Sequence, residues 1–308
     1  MERKRIWLDC DPGLDDAAAL FMALGATDRL DLEGVSTVAG NVGIDPVTRN
    51  ARGLLALAGR EDIPLHAGCP RPLMTAPVDA AAVHGTDGIG GVPLPAPTVP
   101  PQPLHAVDAI DAFCRRGLTG TKGTLVLTGP MTNAALAIVR APDMLAGLDR
   151  IVFMGGVAFG AGNITPAAEF NFASDPHAAK IVLGSGLPCV MMGLDVTRQA
   201  EITPARITAL AEIGSPVGKS LAAMMTAYQG RVGKPVLHDP CTIAWLLQPS
   251  LFTGTDCHVD VDCESSLNLG RCVADPYGVT GKPANATVMT GLDAKGFFDL
   301  LTDCVGRV

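Results

Sequence analysis

Asp9, Asp11, Asp15 and Asp16 place four carboxylates within eight consecutive positions, beside the apolar run Ile6, Trp7, Leu8. At about 4 Å and an effective dielectric near 20, each like-charge pair costs on the order of 4 kcal/mol, so such a cluster calls for a compensating cation or raised pKa values. Asp15 and Asp16 also fall where a helix would start, and a carboxylate in a first turn gains roughly 0.3 to 1 kcal/mol. That accounts for one or two acids, not four. Hard oxygen ligands on the tight Pro12-Gly13 turn suit Ca²⁺ or Mg²⁺.

Further along the chain, polar residues recur where apolar runs end. Asn41 closes a second strand, Thr128 ends TLVLTG, and Asn163, Glu169 and Asn171 follow IVFMGG. His238 and Asp239 precede a helix that begins DPCTIAW. In open α/β sheets the crevice beyond the carboxyl ends of the strands holds the ligand, so these distant residues should converge on one mouth. Asp239 reads equally as the N-cap of a helix with proline at its first position, and Asp175 before Pro176 reads better as a cap. Asn163 and Asn171 suit loop residues bonding their own backbone as well as ligand contacts. His238 stands beside Asp239, and His84 opens the glycine-rich HGTDGIGG; either could move a proton near neutral pH. His66, His105, His177 and His258 have no comparable setting.

The elements that must position these groups follow from a hydrophobic period that alternates between strand and helix. Strands IWLDCD, LEGVSTVAG, PLHAG, TLVLTG, RIVFMGG and PCVMMGLD are separated by helices, with a Pro- and Gly-rich loop from Cys69 to Pro103. Such alternation predicts right-handed crossovers and an open, mostly parallel, doubly wound α/β sheet. The runs IVFMGG and PCVMMGL are apolar throughout, as strands buried on both faces should be. Beyond residue 200 the pattern predicts extra helices, a small strand pair at CHVDVDC and RCVADPY, and a last helix, AKGFFDLLTDCV. No linker composition divides the chain, which predicts a single domain over 1–308.

The 308 residues are 48% hydrophobic and 18% charged, enough for a large buried core. A net charge of -8 without any basic run excludes a nucleic-acid or anionic-membrane surface. No apolar stretch of about 18 residues exists to span a bilayer. MERKRIWLDCD lacks the features of a signal peptide, and a cytoplasmic location is the expectation. Nine scattered cysteines without metal-type spacing predict reduced, buried thiols.

The opening DCDPGLDD, with VAGN at 38–41, TGPMTN at 128–133, EFNFASDP at 169–176 and LHDP at 237–240, resembles the inosine-uridine nucleoside hydrolases, in order and over nearly the whole chain. The resemblance implies Ca²⁺-dependent hydrolysis of the N-glycosidic bond of a ribonucleoside, with Asp11 activating a metal-bound water. It implies Ca²⁺ held by Asp11, Asp16, Asp239 and the backbone carbonyl of Thr128. Asp15 and Asn171 would meet ribose hydroxyls, Asn41 the sugar, and Asn163 and Glu169 the 5′-hydroxyl. Asp9 would support the site from behind. His238 would protonate the leaving base, with His84 as a second pocket histidine. A homodimer or homotetramer is also implied. The chemistry suits these residue types, because an oxocarbenium-like sugar needs an activated water, nearby negative charge and help for the departing base.

Tyr228 suits either a contact with the base or a place in the core. A haloacid-dehalogenase-type phosphatase shares the Asp-x-Asp after a first strand, but Pro12-Gly13 and the pair Asp15-Asp16 do not fit it. A non-catalytic nucleoside-binding protein is the alternative from another class.

Overall fold

A computed structural model describes residues 3–308. Its first half runs β1 (Lys4–Cys10), α1 (Leu14–Gly25), β2 (Leu30–Thr37), α2 (Ile44–Leu57), β3 (Leu65–Ala67), α3 (Ala81–His84), α4 (Ala106–Arg116), β4 (Gly123–Leu127), α5 (Thr132–Arg140) and β5 (Leu148–Met154). There follow α6 (Phe170–Ser174), α7 (Pro176–Leu183), β6 (Cys189–Met192), α8 (Leu194–Thr197), α9 (Pro204–Glu212), α10 (Pro216–Val232) and α11 (Pro240–Leu247). The chain closes with β7 (Phe252–Val261), β8 (Cys272–Asp275), β9 (Ala286–Leu292) and α12 (Ala294–Val305).

One sheet takes the order β3-β2-β1-β4-β5-β6-β9-β7-β8. It is parallel from β3 through β9 and antiparallel at β7 and β8. The expected doubly wound sheet is therefore present. The strand pair near its end differs from the expectation: β7 is longer than CHVDVDC and joins the main sheet through β9, a strand the sequence pattern did not reveal. Within ATVMTGL, threonines interrupt the apolar run, and the segment reads as neither a clean alternation nor a buried strand.

Side chains alternate across the sheet as the pleat requires. Ile6, Leu8, Val126, Val152 and Val190 enter one core with α1, α10, α11 and α12. Trp7, Leu125, Leu127, Ile151, Phe153 and Met191 enter the other with α4, α5 and α7. Every residue of α1 is buried, so its first turn delivers Asp15 and Asp16 into the interior rather than to solvent. Among the described residues all nine cysteines are free thiols. No described helix is long and apolar enough to cross a membrane.

Candidate active site

The strand order reverses direction at β1 and β4, and the loops leaving these two strands open a crevice between them. Asp11 follows β1 and Thr128 follows β4. A cavity of about 320 Å³ lies there, lined by Asp11, Asp15, Asn41, His84, Thr128, Asn163, Glu169, Asn171, Tyr228, His238 and Asp239. Every site residue expected from the sequence thus reaches one cavity except Asp16, which is buried at its edge.

The acids are dry and crowded. Carboxylate oxygens of Asp15, Asp16 and Asp239 all lie within 4.8 Å of one another. Burial first, then repulsion from Asp15 and Asp16, pushes Asp239 well above the usual carboxylate range. Asp16 rises to about 6 by burial and then the charge of Asp15. It is restrained by the Gly13 amide at 2.9 Å and the Thr128 hydroxyl at 2.9 Å. Asp11 is raised by burial and then by Asp16; its Oδ2 accepts the Asn41 amide at 2.7 Å, while its buried Oδ1 has no partner among the described residues. A Cβ added at Gly40 would stand 2.0 Å from Asp11 Oδ2, and one at Gly129 2.6 Å from Oδ1, so only glycine lets both loops close on this carboxylate. An all-oxygen, anionic, desolvated donor set with a bare carboxylate oxygen fits a hard divalent cation.

The trio differs from the ligand set implied by the resemblance, since Asp15 belongs to it and Asp11 does not. Asp239 occupies an N-cap position yet makes no side-chain cap bond. Its carboxylate is left to the acidic cluster, whereas Asp175 caps α7 as expected.

Around the acids, amides are oriented by what they donate to. Asn171 spends Nδ2 on the carbonyls of Thr128 at 2.9 Å and Met154 at 3.2 Å, which leaves Oδ1 to accept from a ligand hydroxyl. Asn41 spends Nδ2 on the Asp11 carbonyl at 3.0 Å and Asp16 at 3.1 Å. Asn163 accepts the Phe170 amide at 3.0 Å through Oδ1, so Nδ2 is its remaining group. Glu169 caps α6 and accepts the amides of Gly156 at 2.7 Å and Asn171 at 2.9 Å; burial raises its pKa in spite of these bonds.

His84 and His238 meet the cavity from different elements, and burial lowers the pKa of each. His238 Nδ1 lies 2.8 Å from the Thr197 hydroxyl, and its backbone N–H donates to Asp15 at 3.2 Å. Tyr228 lines the cavity and stacks on His84 with centroids 6.0 Å apart.

Three supporting residues escaped the sequence reading. Thr197 carries no periodic or charge signal within DVTRQ. Ser36 and Asn133 both donate to Asp9 Oδ1, the latter at 2.8 Å, behind the site. Burial raises Asp9 to about 7 against these bonds.

Fold and cleft together define an α/β enzyme whose acidic crevice can hold a metal ion. A family model described as inosine-uridine preferring nucleoside hydrolase matches residues 6–299, and the chain belongs to that family of ribonucleoside N-glycosidases. The chain is 47% identical over 306 residues to the pyrimidine-specific ribonucleoside hydrolase RihA of Shewanella sp. (strain ANA-3), covering 97% of this chain and 95% of that protein. Among solved structures it is similar to a purine-preferring ribonucleoside hydrolase from Gardnerella vaginalis, at 31% identity and a TM-score of 0.91 over 98% of each chain. A plant nucleoside hydrolase, the PpNRh1 enzyme, matches at 30% identity and a TM-score of 0.90 over 99% of each chain.

Proposed function

We propose that the chain hydrolyses pyrimidine ribonucleosides to ribose and free base, with Asp11 as general base and Ca²⁺ as the metal. The observation that carries the assignment of Asp11 is its buried Oδ1, which has no hydrogen-bond partner among the described residues and belongs to a side chain at the wall of the cavity. That oxygen is free to take one proton from the attacking water as the remaining oxygen bonds to the anomeric carbon. Its raised pKa in the protein alone reflects burial first and then the charge of Asp16, and a cation would offset both.

Asp11, Asp16, Asp239 and the Thr128 carbonyl would hold the ion. The Thr128 carbonyl keeps a second lone pair after accepting from Asn171. When bound, Ca²⁺ supplies counter-charge to these acids and a Lewis acid for oxygen donors. Asp15 and Asn171 Oδ1 accept ribose hydroxyls, and the Glu169 and Asn163 pair faces the 5′ end of the sugar. Negative charge around the cavity favours the oxocarbenium-like transition state. As the glycosidic bond breaks, its electrons leave with the base, and His238 protonates it from Nε2, the nitrogen not held by Thr197.

Two features favour pyrimidines and Ca²⁺. The curated relatives that match at 45 to 47% identity include several named pyrimidine-specific. Carboxylate and carbonyl oxygens are the donors Ca²⁺ prefers. The test is ribose release from uridine, cytidine, inosine and adenosine, after exhaustive chelation and after add-back of Ca²⁺. Uridine and cytidine should lead, with activity lost on chelation and restored by Ca²⁺. Faster release from inosine would overturn the base assignment. No release from any of the four with the metal bound would favour a nucleoside-binding protein instead.

A further inference from the structure

The two imidazoles in the cavity are held by chemically different partners. His84 Nδ1 accepts the backbone N–H of Leu14 at 3.0 Å. Leu14 is the first residue of α1, so its amide is one of those that find no acceptor within the helix. A peptide N–H can only donate, and the ring nitrogen it meets must present a lone pair. A proton on Nδ1 would set N–H against N–H in a buried place.

The neighbours fix the ring further. Tyr228 stacks on it at an interplanar angle of 30°. A Cβ at Gly13 would stand 2.5 Å from Nδ1, so glycine is what admits this close approach. The charged and titratable groups that face His84 are Asp15 of α1, Arg231 and Tyr228 of α10, and His238 ahead of α11. Burial, His238 and Arg231 disfavour a second proton, and Asp15 alone opposes them. Nε2 takes no hydrogen bond among the described residues, and the ring lines the cavity.

We propose that His84 is a fixed, neutral Nε2–H donor that reads an acceptor atom on the base, and that it is not the proton source. The acceptor would be a carbonyl oxygen or unprotonated ring nitrogen beside the glycosidic nitrogen, such as O2 of a pyrimidine. When the bond breaks, its electron pair spreads from the glycosidic nitrogen onto that acceptor. A preorganised donor there stabilises the charge as it grows. This assignment rests on the proposal that the base of a nucleoside occupies this cavity.

The test uses the full-length chain labelled with ¹⁵N-histidine. Two-bond proton–nitrogen correlation spectra would resolve its six histidines, with His84 identified by the signal lost in His84→Gln. The five surviving signals would show that the variant is folded. From about pH 5.5 to about pH 8, His84 should keep an acceptor-type Nδ1 and a protonated Nε2. A proton on Nδ1, or on both nitrogens, would overturn the proposal. This spectrum is read without turnover, so it is separable from failure of the wild type to cleave uridine.

Kinetics supplies the second arm. His84→Phe keeps an aromatic ring and removes the donor. It should lower kcat/KM about 10²-fold more for uridine than for p-nitrophenyl β-ribofuranoside, whose leaving group departs unaided and has no base acceptor. Equal losses on both substrates would mark a merely structural role, and His84→Gln should recover part of the uridine rate.

Discussion

Two helices of this protein begin with the same dipeptide, and the two aspartates do opposite things. Asp175, ahead of Pro176, accepts the Ala178 amide at 3.1 Å, the Thr132 hydroxyl at 2.7 Å and the Leu73 amide at 2.9 Å. It holds α7 to α5 and to the long loop. Asp239, ahead of Pro240, has helical backbone angles of φ -65° and ψ -38° instead of the extended conformation usual at an N-cap. Its side chain caps nothing. The first turn of α11 is bonded through the Asp239 carbonyl, which accepts the Thr242 hydroxyl at 2.6 Å. A group withheld from local structure and pressed among like charges is available to a ligand.

The largest effect that sharpens this contrast should come from Asp239→Asn. Loss of a metal-holding carboxylate should lower kcat/KM by about 10³-fold or more, a barrier increase of several kcal/mol. The chelated variant should melt no lower than the chelated wild type, because a repelling charge has gone. A variant with near wild-type turnover, or one that melts well below the parent, would break the comparison.

Asp9 extends it to a buried acid that does have partners. Its folded pKa of about 7 exceeds the ordinary 3.8, so the folded protein retains a proton that the unfolded chain releases in between. The folded state therefore binds more protons over that window, and stability should fall as pH rises from about 4 to about 7, by on the order of 4 kcal/mol. Thermal melts of chelated protein should show a shallower fall in Asp9→Asn than in wild type. Superimposable pH profiles would contradict this.

The smallest effect belongs to Asp175. Removing three hydrogen bonds in Asp175→Ala should cost about 2 to 3 kcal/mol of stability, measured by urea denaturation, with kcat/KM on uridine close to wild type. A catalytic loss comparable to that of Asp239→Asn would erase the distinction between the two sites.

The contrast also shows what a sequence can convey. In the sequence, DP at 175 and DP at 239 differ only in their surroundings; residue types leave Asp239 even between cap and ligand, and only the family resemblance carried by LHDP at 237–240 implies the ligand. Strands β4, β5 and β6 were legible because unbroken apolar runs leave little else to form. The five-residue α6 was not, since one turn held by the Glu169 cap has too few residues to display a period. In the site, the density of acids was legible as charge that needed an explanation. Thr197, Ser36 and Asn133 were not, because a single small polar residue acquires its role only from the atom it meets in space. The facing of Tyr228 was undecidable for the same reason: a helix position can address a core or a cavity, and only the neighbouring loops decide which.

Strand β9 has a consequence for how the protein is made. It is the last strand in the chain, spanning Ala286–Leu292, yet it lies inside the sheet between β6 and β7. On a ribosome making roughly 5 to 20 residues per second, β6 would emerge about 5 to 20 s before this insert is available. Until then β6, whose four residues are all buried in the finished fold, would offer an open hydrogen-bonding edge to whatever strand is nearby. A nascent or prematurely ended chain would therefore be adhesive along an interior seam, and release of the final residues would be the event that closes it.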